Sequence, residues 1–255
     1  MKENRTKGII CLDDEYGFRY VISEIEYIEY EDESFTYIFR PNYSVIDLLG
    51  TNLFQGIPGL DLDLRQEEYI RKNQIPVFIS ERSPQKNRED LIEQLESVGM
   101  DYLNSLEWLI RTETRYSGDR LFVERHEDSK MTFQLSSIGT LGARSGIVCR
   151  KLLEMICKGL NIESAEISVG DNNRKEVYNL LMVIYTKEKK YIDECRRAGI
   201  ESASAEGKYK GRSKIKIDSL KLAEVISDYQ ARKITGEEAS KKLGISRSTF
   251  MRRMK

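Results

Sequence analysis

The start and stop signals in residues 218–255 divide this part of the chain into three short helices. Residues 218–232 carry apolar side chains at helical spacing, behind an aspartate that suits a helix N-cap. Thr235 is followed three residues later by Glu238, and this capping box predicts the start of a second helix. Gly244 ends that helix with the positive φ of a tight turn. A third helix is expected over 247–255.

The string EEASKKLGISRSTFMRR combines a small residue, a glycine turn and an isoleucine at the spacing of a helix-turn-helix. In such motifs the recognition helix presents its first turns to the base edges of DNA. Phe250 is expected in the core, and Arg247 is the best candidate for bidentate recognition of guanine. Simple solvation of these side chains is the alternative. The predicted DNA contacts of this helix are Arg247, Ser248, Thr249, Arg252 and Arg253.

Charge is divided unevenly along the chain, although the formal net charge is only −1. Residues 207–255 contain 14 Lys/Arg and 5 Asp/Glu, whereas the remaining 206 residues contain 27 Lys/Arg and 37 Asp/Glu. An acidic body with a basic end is typical of a nucleic-acid-binding appendage. The segment before the first of the three helices suits an arm in the minor groove or a flexible linker. Its predicted contacts are Lys208, Lys210, Gly211, Arg212 and Lys214.

Residues 173–206 are predicted to form one long helix. Its apolar residues alternate at spacings of four and three, which suits a dimer seam, and packing against the same chain is the alternative. The seam residues are Val177, Leu181, Ile184, Tyr191 and Cys195. The sequence NRKEVYNLLMVIYTKEKKYIDECRRAGIESASAEGKYKGR resembles the long helix and connecting arm of small serine recombinases, the resolvase/invertase family. The resemblance implies a homodimer that binds double-stranded DNA.

The residues before the long helix follow the order of the second half of a recombinase catalytic domain. We predict strands over 132–135 and 165–169 and a helix over 146–159. The family's D-R-L-G-R-S-type motif, which positions and stabilises the phosphate, corresponds to the string IGTLGARS in this chain. Gly139 and Thr140 stand where that family has its Asp-Arg pair.

The family's serine nucleophile has no close match in this sequence. It lies in a Tyr-x-Arg-x-Ser segment, and the nearest string, ISERSP, has Glu81 where the arginine belongs. A serine that attacks a phosphodiester needs neighbouring cations, and an adjacent carboxylate opposes the negative charge of the transition state. Ala143 also replaces a family arginine, although Arg144 is adjacent. Ser83 is the nearest candidate nucleophile, and the sequence favours a recombinase scaffold without its chemistry.

Residues 1–127 are acidic and begin with alternating runs, FRYVISEIEYIEY and SFTYIF, that predict strands of a β-rich module. IPVFISERSPQKNREDLIEQLESVGM and DYLNSLEWLIRTETRYSGDRLFVE predict two amphipathic helices followed by a strand, with Trp108 in the core. Parts of residues 50–125 resemble the small N-terminal module of HipA-type kinase toxins. The kinase motifs are absent, so this resemblance implies binding of a protein partner through residues 1–127. The single histidine, His126, is expected in an exposed linker.

Cysteine spacing and hydropathy indicate the setting of the protein. Four cysteines are scattered without CxxC spacing, which argues against a zinc ribbon and favours a reducing, cytoplasmic compartment. No apolar run reaches the roughly 18 residues of a membrane helix, and the N-terminus lacks the apolar stretch of a signal peptide. We expect no metal, no cofactor and no membrane association. The expected location is the cytoplasm of a bacterial or phage-associated system, at the nucleoid.

Together these patterns predict an α+β multidomain chain of three parts. They are an acidic β-rich and helical module over 1–127, a partial recombinase-like α/β segment over 128–206, and a basic arm with an all-α helix-turn-helix over 207–255. The favoured hypothesis is a sequence-specific DNA-binding protein, a non-catalytic transcriptional regulator. The alternatives are a divergent, active serine recombinase and an antitoxin-like autorepressor that partners a HipA-type kinase.

Overall fold

The chain divides into two compact units, Met1–Glu194 and Cys195–Lys255. The class is mixed α+β, with a five-stranded antiparallel sheet in the first unit and a helical region at the C-terminal end. The expected α+β class is therefore confirmed. The residues that this computed structural model describes are 3–116, 118–126, 132–208, 215 and 217–254.

The sheet of the first unit includes the two alternating runs near the N-terminus. Its strands are β1 (Asn4–Asp13), β2 (Arg19–Glu29), β3 (Phe35–Pro41), β4 (Tyr69–Lys72) and β5 (Leu121–Arg125). They lie in the order β4-β3-β2-β1-β5, and every neighbouring pair is antiparallel. Because side chains alternate, Tyr20 and Ile22 face the core while Val21 lies on the opposite face. The strands predicted from the alternating runs are confirmed.

Short helices connect these strands. They are α1 (Tyr43–Ile46), α2 (Val77–Ser80), α3 (Leu91–Ser97) and α4 (Ser105–Thr112). The single helix predicted over residues 75–100 is wrong in its middle, where Pro84 lacks an N–H and biases Ser83 away from the helical region. The next predicted helix is shorter than its sequence string. Its N-cap is Asn104, whose side chain accepts from two backbone N–H groups at 3.1 Å. Trp108 on it is half-buried.

A second, smaller sheet follows in the first unit. Its strands are β6 (Thr132–Gln134), β7 (Asn161–Glu163) and β8 (Ser168–Val169), and the helix between β6 and β7 is α5 (Ser145–Cys157). β6 and β7 are parallel, which requires a crossover connection, and α5 lies within it. The predicted strand over 132–135 and helix over 146–159 are confirmed. The strand predicted over 165–169 is confirmed only at its last two residues, and β7 was not expected.

The long helix α6 (Arg174–Ala205) has 32 residues and confirms the helix predicted over 173–206. Its first residue is anchored in the first unit. The guanidinium of Arg174 is only 1% exposed and donates to the Leu160 carbonyl oxygen at 2.8 Å and to Asn161 Oδ1 at 2.7 Å. Short 3₁₀ turns lie at Leu62–Leu64 and Ile138–Leu141.

One hydrophobic core joins the five-stranded sheet to α5 and to the start of α6. The Tyr20 hydroxyl on β2 lies 2.7 Å from the Tyr178 hydroxyl on α6. The Phe18 and Tyr185 rings meet edge to face with centroids 5.3 Å apart. The boundary predicted between residues 127 and 128 therefore lies inside this compact unit.

The C-terminal residues form α7 (Ser219–Gln230), α8 (Gly236–Leu243) and α9 (Arg247–Arg253). All three helices were expected from the sequence, and the first and third end two residues earlier than their predicted bounds. Asp218 caps α7 as expected, because its side chain accepts from the Leu220 N–H at 2.9 Å.

Candidate nucleic-acid interface

The three C-terminal helices share a small core of their own. Val225, Ala239, Leu243 and Phe250 are buried in it. The Tyr229 and Phe250 rings meet edge to face with centroids 5.4 Å apart. Phe250 is fully buried, so its expected place in the core is confirmed. This packing holds α9 against its neighbours through one face and leaves its other faces to solvent.

A capping box determines where α8 begins. The Thr235 backbone N–H donates to the Glu238 carboxylate at 2.7 Å, and the Glu238 N–H donates to Thr235 Oγ1 at 3.3 Å. The bond from the Thr235 backbone holds the pKa of Glu238 below its ordinary value. The box predicted from the sequence is confirmed, and it satisfies two backbone donors that the helix itself leaves without partners.

The turn between α8 and α9 is three residues long, Gly244–Ser246. Gly244 has a φ of 64°, the left-handed conformation that glycine adopts without strain. The Ile245 N–H then donates to the Ser240 carbonyl oxygen at 3.1 Å, which closes the end of α8. Ser246 Oγ accepts from the Thr249 N–H at 3.3 Å and begins α9. These bonds define where α8 ends and where α9 begins.

α9 carries three arginines and no acidic residue. Arg247 and Arg252 are exposed, and neither forms an ion pair with a residue that the structure describes. Arg253 is also exposed, but it donates to the Ile215 carbonyl oxygen at 3.0 Å. Among the described residues, two of the three guanidiniums have no hydrogen-bond partner, and the third is partly used within the second unit.

The two predicted hydroxyl contacts lie at the cap of α9. The hydroxyl oxygens of Ser248 and Thr249 are 3.1 and 2.9 Å from Ser246 Oγ. Ser248 is exposed and Thr249 is half-buried. Both hydroxyls lie in the first turn of the helix, beside its N-cap.

One acidic residue on each of α7 and α8 lies beside a lysine. Asp228 is 3.7 Å from Lys233 and 3.9 Å from Lys242, and Glu237 is 3.3 Å from Lys241. Such exposed pairs contribute little to stability, but they place the negative charges of Asp228 and Glu237 next to compensating cations. The positive charge of α9 has no such compensation among the described residues.

The basic arm is described only in part. Lys208 is exposed, and its Nζ lies 2.5 Å from the Glu206 carboxylate. Lys210, Gly211, Arg212 and Lys214, which the sequence also assigns to the arm, lie outside the residues that the structure describes.

The predicted dimer seam divides into two parts along α6. Val177 and Leu181 pack against the core of the first unit, as the alternative interpretation expected. Ile184 and Tyr191 are instead 40% and 66% exposed, and Cys195 is exposed.

Further apolar side chains on α6 are exposed that the sequence interpretation missed. They are Leu180, Val183, Ile192 and Ile200. Residues 180–184 are all apolar, so spacing alone does not show which of them face the core.

The candidate nucleophile Ser83 is half-buried, and its neighbour Arg82 is not free to assist it. The Arg82 side chain is fully buried, pairs with Asp119 and donates to the Phe78 carbonyl oxygen at 2.9 Å. Its guanidinium also lies 4.3 Å from the Phe78 ring centre. This arginine has a structural role, and the pairing gives Ser83 no available cation from it.

His126 does not lie in an exposed linker, and that expectation is wrong. Its side chain is 18% exposed, with Nε2 3.7 Å from the Glu24 carboxylate. The His126 backbone N–H donates to the Lys7 carbonyl oxygen at 3.3 Å, so sheet pairing continues one residue beyond β5. In the part of the chain that the structure describes, no cluster of three His, Cys, Asp or Glu side chains could hold a metal ion. No described helix is long and apolar enough to cross a membrane.

No known family model matches this sequence, and no curated protein matches it significantly. The resemblances to small serine recombinases and to HipA-type toxins therefore stay predictions.

Proposed function

We propose that this protein is a sequence-specific DNA-binding protein that acts as a non-catalytic transcriptional regulator. In this proposal α8 and α9 form the helix-turn-helix, and α9 enters the major groove. The observation that carries it is the surface of α9, where exposed Arg247 and Arg252 have no ion-pair partner among the described residues. A guanidinium held on a rigid helix and free of internal partners is well suited to bind guanine or phosphate.

The residues of α9 then divide by role. Arg247, in the first turn, donates two hydrogen bonds to the O6 and N7 atoms of a guanine. Arg252 contacts phosphate, and so does Arg253 once it leaves its bond to Ile215. Ser248 and Thr249 contact bases or phosphate from the start of the helix. The predicted arm adds sequence-independent contacts in the minor groove.

A homodimer formed along α6 completes this proposal. It is supported by the exposed Ile184, Tyr191 and Cys195 on one long helix. A dimer binds two half-sites, so the preferred DNA is expected to be palindromic. Cys195 is the exposed cysteine, whereas burial raises the pKa of the Cys11, Cys149 and Cys157 thiols and makes them unreactive.

The proposal assigns no strand-exchange chemistry. It is supported by Glu81 beside the candidate Ser83 and by the burial of Arg82 against Asp119. An active recombinase would form a covalent complex with supercoiled DNA, and a covalent complex lost in Ser83→Ala would contradict our assignment. The antitoxin-like role, with a kinase bound through residues 1–127, stays a prediction.

The test begins with selection of binding sites from random duplexes by the full-length protein. Binding of the selected duplex and of a scrambled one is then measured by fluorescence anisotropy at several salt concentrations. Arg247→Ala is expected to weaken the selected complex roughly 5- to 150-fold, from about 1–3 kcal/mol for one bidentate contact. The matched control is Lys221→Ala on α7, which removes the same charge from an exposed position. It should weaken both complexes slightly and equally.

Two results would contradict the assignment of α9. One is a selection that yields no preferred motif. The other is an Arg247→Ala variant that loses no more affinity for the selected duplex than Lys221→Ala does. Lys210→Ala is expected to lower affinity for both duplexes alike, since a phosphate contact carries no sequence information. For the dimer, mild oxidation should link two chains through Cys195, and Cys195→Ser should abolish the linked species.

A further inference from the structure

The first unit contains a cleft of about 1060 Å³ that the proposed DNA contacts do not involve. Ile9 and Val21 line it from the face of the five-stranded sheet that points away from the core. The ends of α4 and α5 and the start of α1 contribute the other walls. Its volume lies at the upper end of small-molecule sites, roughly 300–1,000 Å³. It therefore has room for a ligand of several residues.

Most charges in this cleft are already neutralised. The arginines that line it are each in an ion pair with a carboxylate: Arg19, Arg40, Arg111 and Arg125. Two exposed charged side chains differ from these arginines in their ion pairing. Lys158 and Glu113 also line the cleft, and neither forms an ion pair with any described residue. Among the described residues, Lys158 is thus a cation of the cleft with no carboxylate partner, and Glu113 is a carboxylate with no cationic partner.

Neutral hydrogen-bond donors lie near Lys158. The Asn42 side-chain oxygen accepts from Ser44 Oγ at 2.8 Å, and the Asn161 side-chain oxygen accepts from Arg174 at 2.7 Å. These bonds orient both amides, and their NH₂ groups have no partner among the described residues. Gly159, next to Lys158, has a φ of 76°, and a Cβ there would lie 2.3 Å from Asn42 Nδ2. Glycine at this position lets the Asn42 amide approach the end of α5.

Glu113 is not the single carboxylate that lines the cleft. Glu24 and Glu124 line the same cleft, and Glu24 lies 3.7 Å from His126 Nε2. The side-chain carboxylate of Glu24 is 50% exposed and has no arginine or lysine partner among the described residues. Carboxylates of this kind bind an ammonium group, whereas a lysine and two amide NH₂ groups bind a carboxylate.

We propose that this cleft binds a short peptide with free termini. Lys158, Asn42 and Asn161 receive its carboxylate, and Glu113 and Glu24 receive its ammonium group. The apolar surface of Ile9 and Val21 contacts its side chains. This inference is independent of the proposed DNA binding and is tested without DNA.

The experiment uses the full-length protein and an equimolar mixture of tripeptides with free termini. The matched probe is the same mixture acetylated and amidated, which removes both terminal charges. Native mass spectrometry is expected to detect complexes with the free mixture and none with the capped one. The retained peptides are identified, and the affinity of the best is measured by calorimetry. Alanine alone is a third probe, and it should bind at least tenfold more weakly than that peptide.

Matched variants test whether the proposed side chains bind the peptide. Lys158→Gln and Glu113→Gln should each weaken the best peptide at least tenfold. Lys175→Gln and Glu163→Gln, exposed positions outside the cleft, should leave its affinity unchanged. Four results would overturn the proposal: no retained peptide, equal retention of the capped mixture, alanine binding as tightly as the peptide, or unchanged affinity in Lys158→Gln. An unchanged unfolding midpoint verifies that the variants remain folded.

Discussion

The hydroxyl pair between Tyr20 and Tyr178 offers a direct test of whether the sheet and the long helix unfold as one unit. Tyr20 lies on β2 and Tyr178 on α6, both buried, with their oxygens 2.7 Å apart. The Tyr20 hydroxyl also donates to the Asp14 carboxylate at 3.0 Å. Because Tyr20 has a single proton, Tyr178 is the donor in the bond between the two hydroxyls.

The two phenylalanine substitutions therefore differ in cost. Tyr178→Phe removes one hydrogen bond and leaves Tyr20 bonded to Asp14, so we expect a loss of about 1 kcal/mol in the free energy of unfolding. Tyr20→Phe removes both bonds and leaves the Tyr178 hydroxyl buried without a partner. That variant should lose about 2–4 kcal/mol, because an unsatisfied buried group adds its own desolvation penalty.

Urea unfolding of the full chain measures both effects. Trp108, the single tryptophan, lies on α4 and packs against the shared core, so its fluorescence reports on the sheet side. Both variants should lower the urea midpoint of the Trp108 transition, and Tyr20→Phe should lower it more. Tyr102→Phe is the control, since Tyr102 is exposed and its hydroxyl accepts an exposed bond from Asn4 Nδ2 at 3.0 Å. It should change stability by less than about 0.5 kcal/mol. A Trp108 transition that Tyr178→Phe does not move would refute the single-unit interpretation, and so would a larger effect of Tyr178→Phe.

Four further substitutions test the helix signals and the buried ion pair. Thr235→Ala removes the cap of α8 and should cost about 1 kcal/mol in a thermal melt of the C-terminal helices followed by circular dichroism. Because the folded-state pKa of Glu238 is lowered, its contribution to stability is present above the unfolded pKa and should decline as pH falls through the folded value, with Glu238→Gln removing that dependence. Gly244→Ala should cost roughly 1–2 kcal/mol in the same melt, because its φ of 64° strains any residue with a Cβ. Arg82→Met leaves Asp119 without its buried partner and should lower the free energy of unfolding, measured by the Trp108 urea transition, by about 3–5 kcal/mol. An unchanged free energy of unfolding would contradict the structural role of Arg82.

The features that the sequence predicted well are those determined by residues close together in the chain. The box of Thr235 and Glu238 spans three residues, and the turn at Gly244 depends on one residue and its φ. Ser246 likewise bonds to a group three residues away. Because these signals involve only neighbouring residues, they can be recognised without knowledge of the tertiary contacts. The bounds of α7, α8 and α9 were therefore predicted to within two residues.

The features that the sequence did not predict depend on contacts between distant residues. Tyr20 on β2 contacts Tyr178 on α6 in the shared core, and no local sequence pattern predicts that contact. β7 has only three residues and lies in a sheet with distant β6, so periodicity had too few positions to indicate it. Ile9 and Asp171, which are far apart in the sequence, line the same cleft, and its unpaired charges can be recognised only after the other charges have been assigned their partners.

The long helix α6 was predicted from local spacing, but which of its residues are buried depends on contacts with distant residues. This distinction bears on the proposed dimer. Its first half is apolar on more than one face, so spacing alone did not separate core residues from surface residues. The structure buries Tyr178 and Leu181 but leaves Leu180 62% exposed. Leu180, Ile184 and Tyr191 follow one another at spacings of four and seven, which keeps them on one side of a helix. Apolar side chains in such a row are costly to leave in water, and a second copy of α6 would cover them. The exposed row, and not the buried Leu181, is therefore where we expect the second chain to bind.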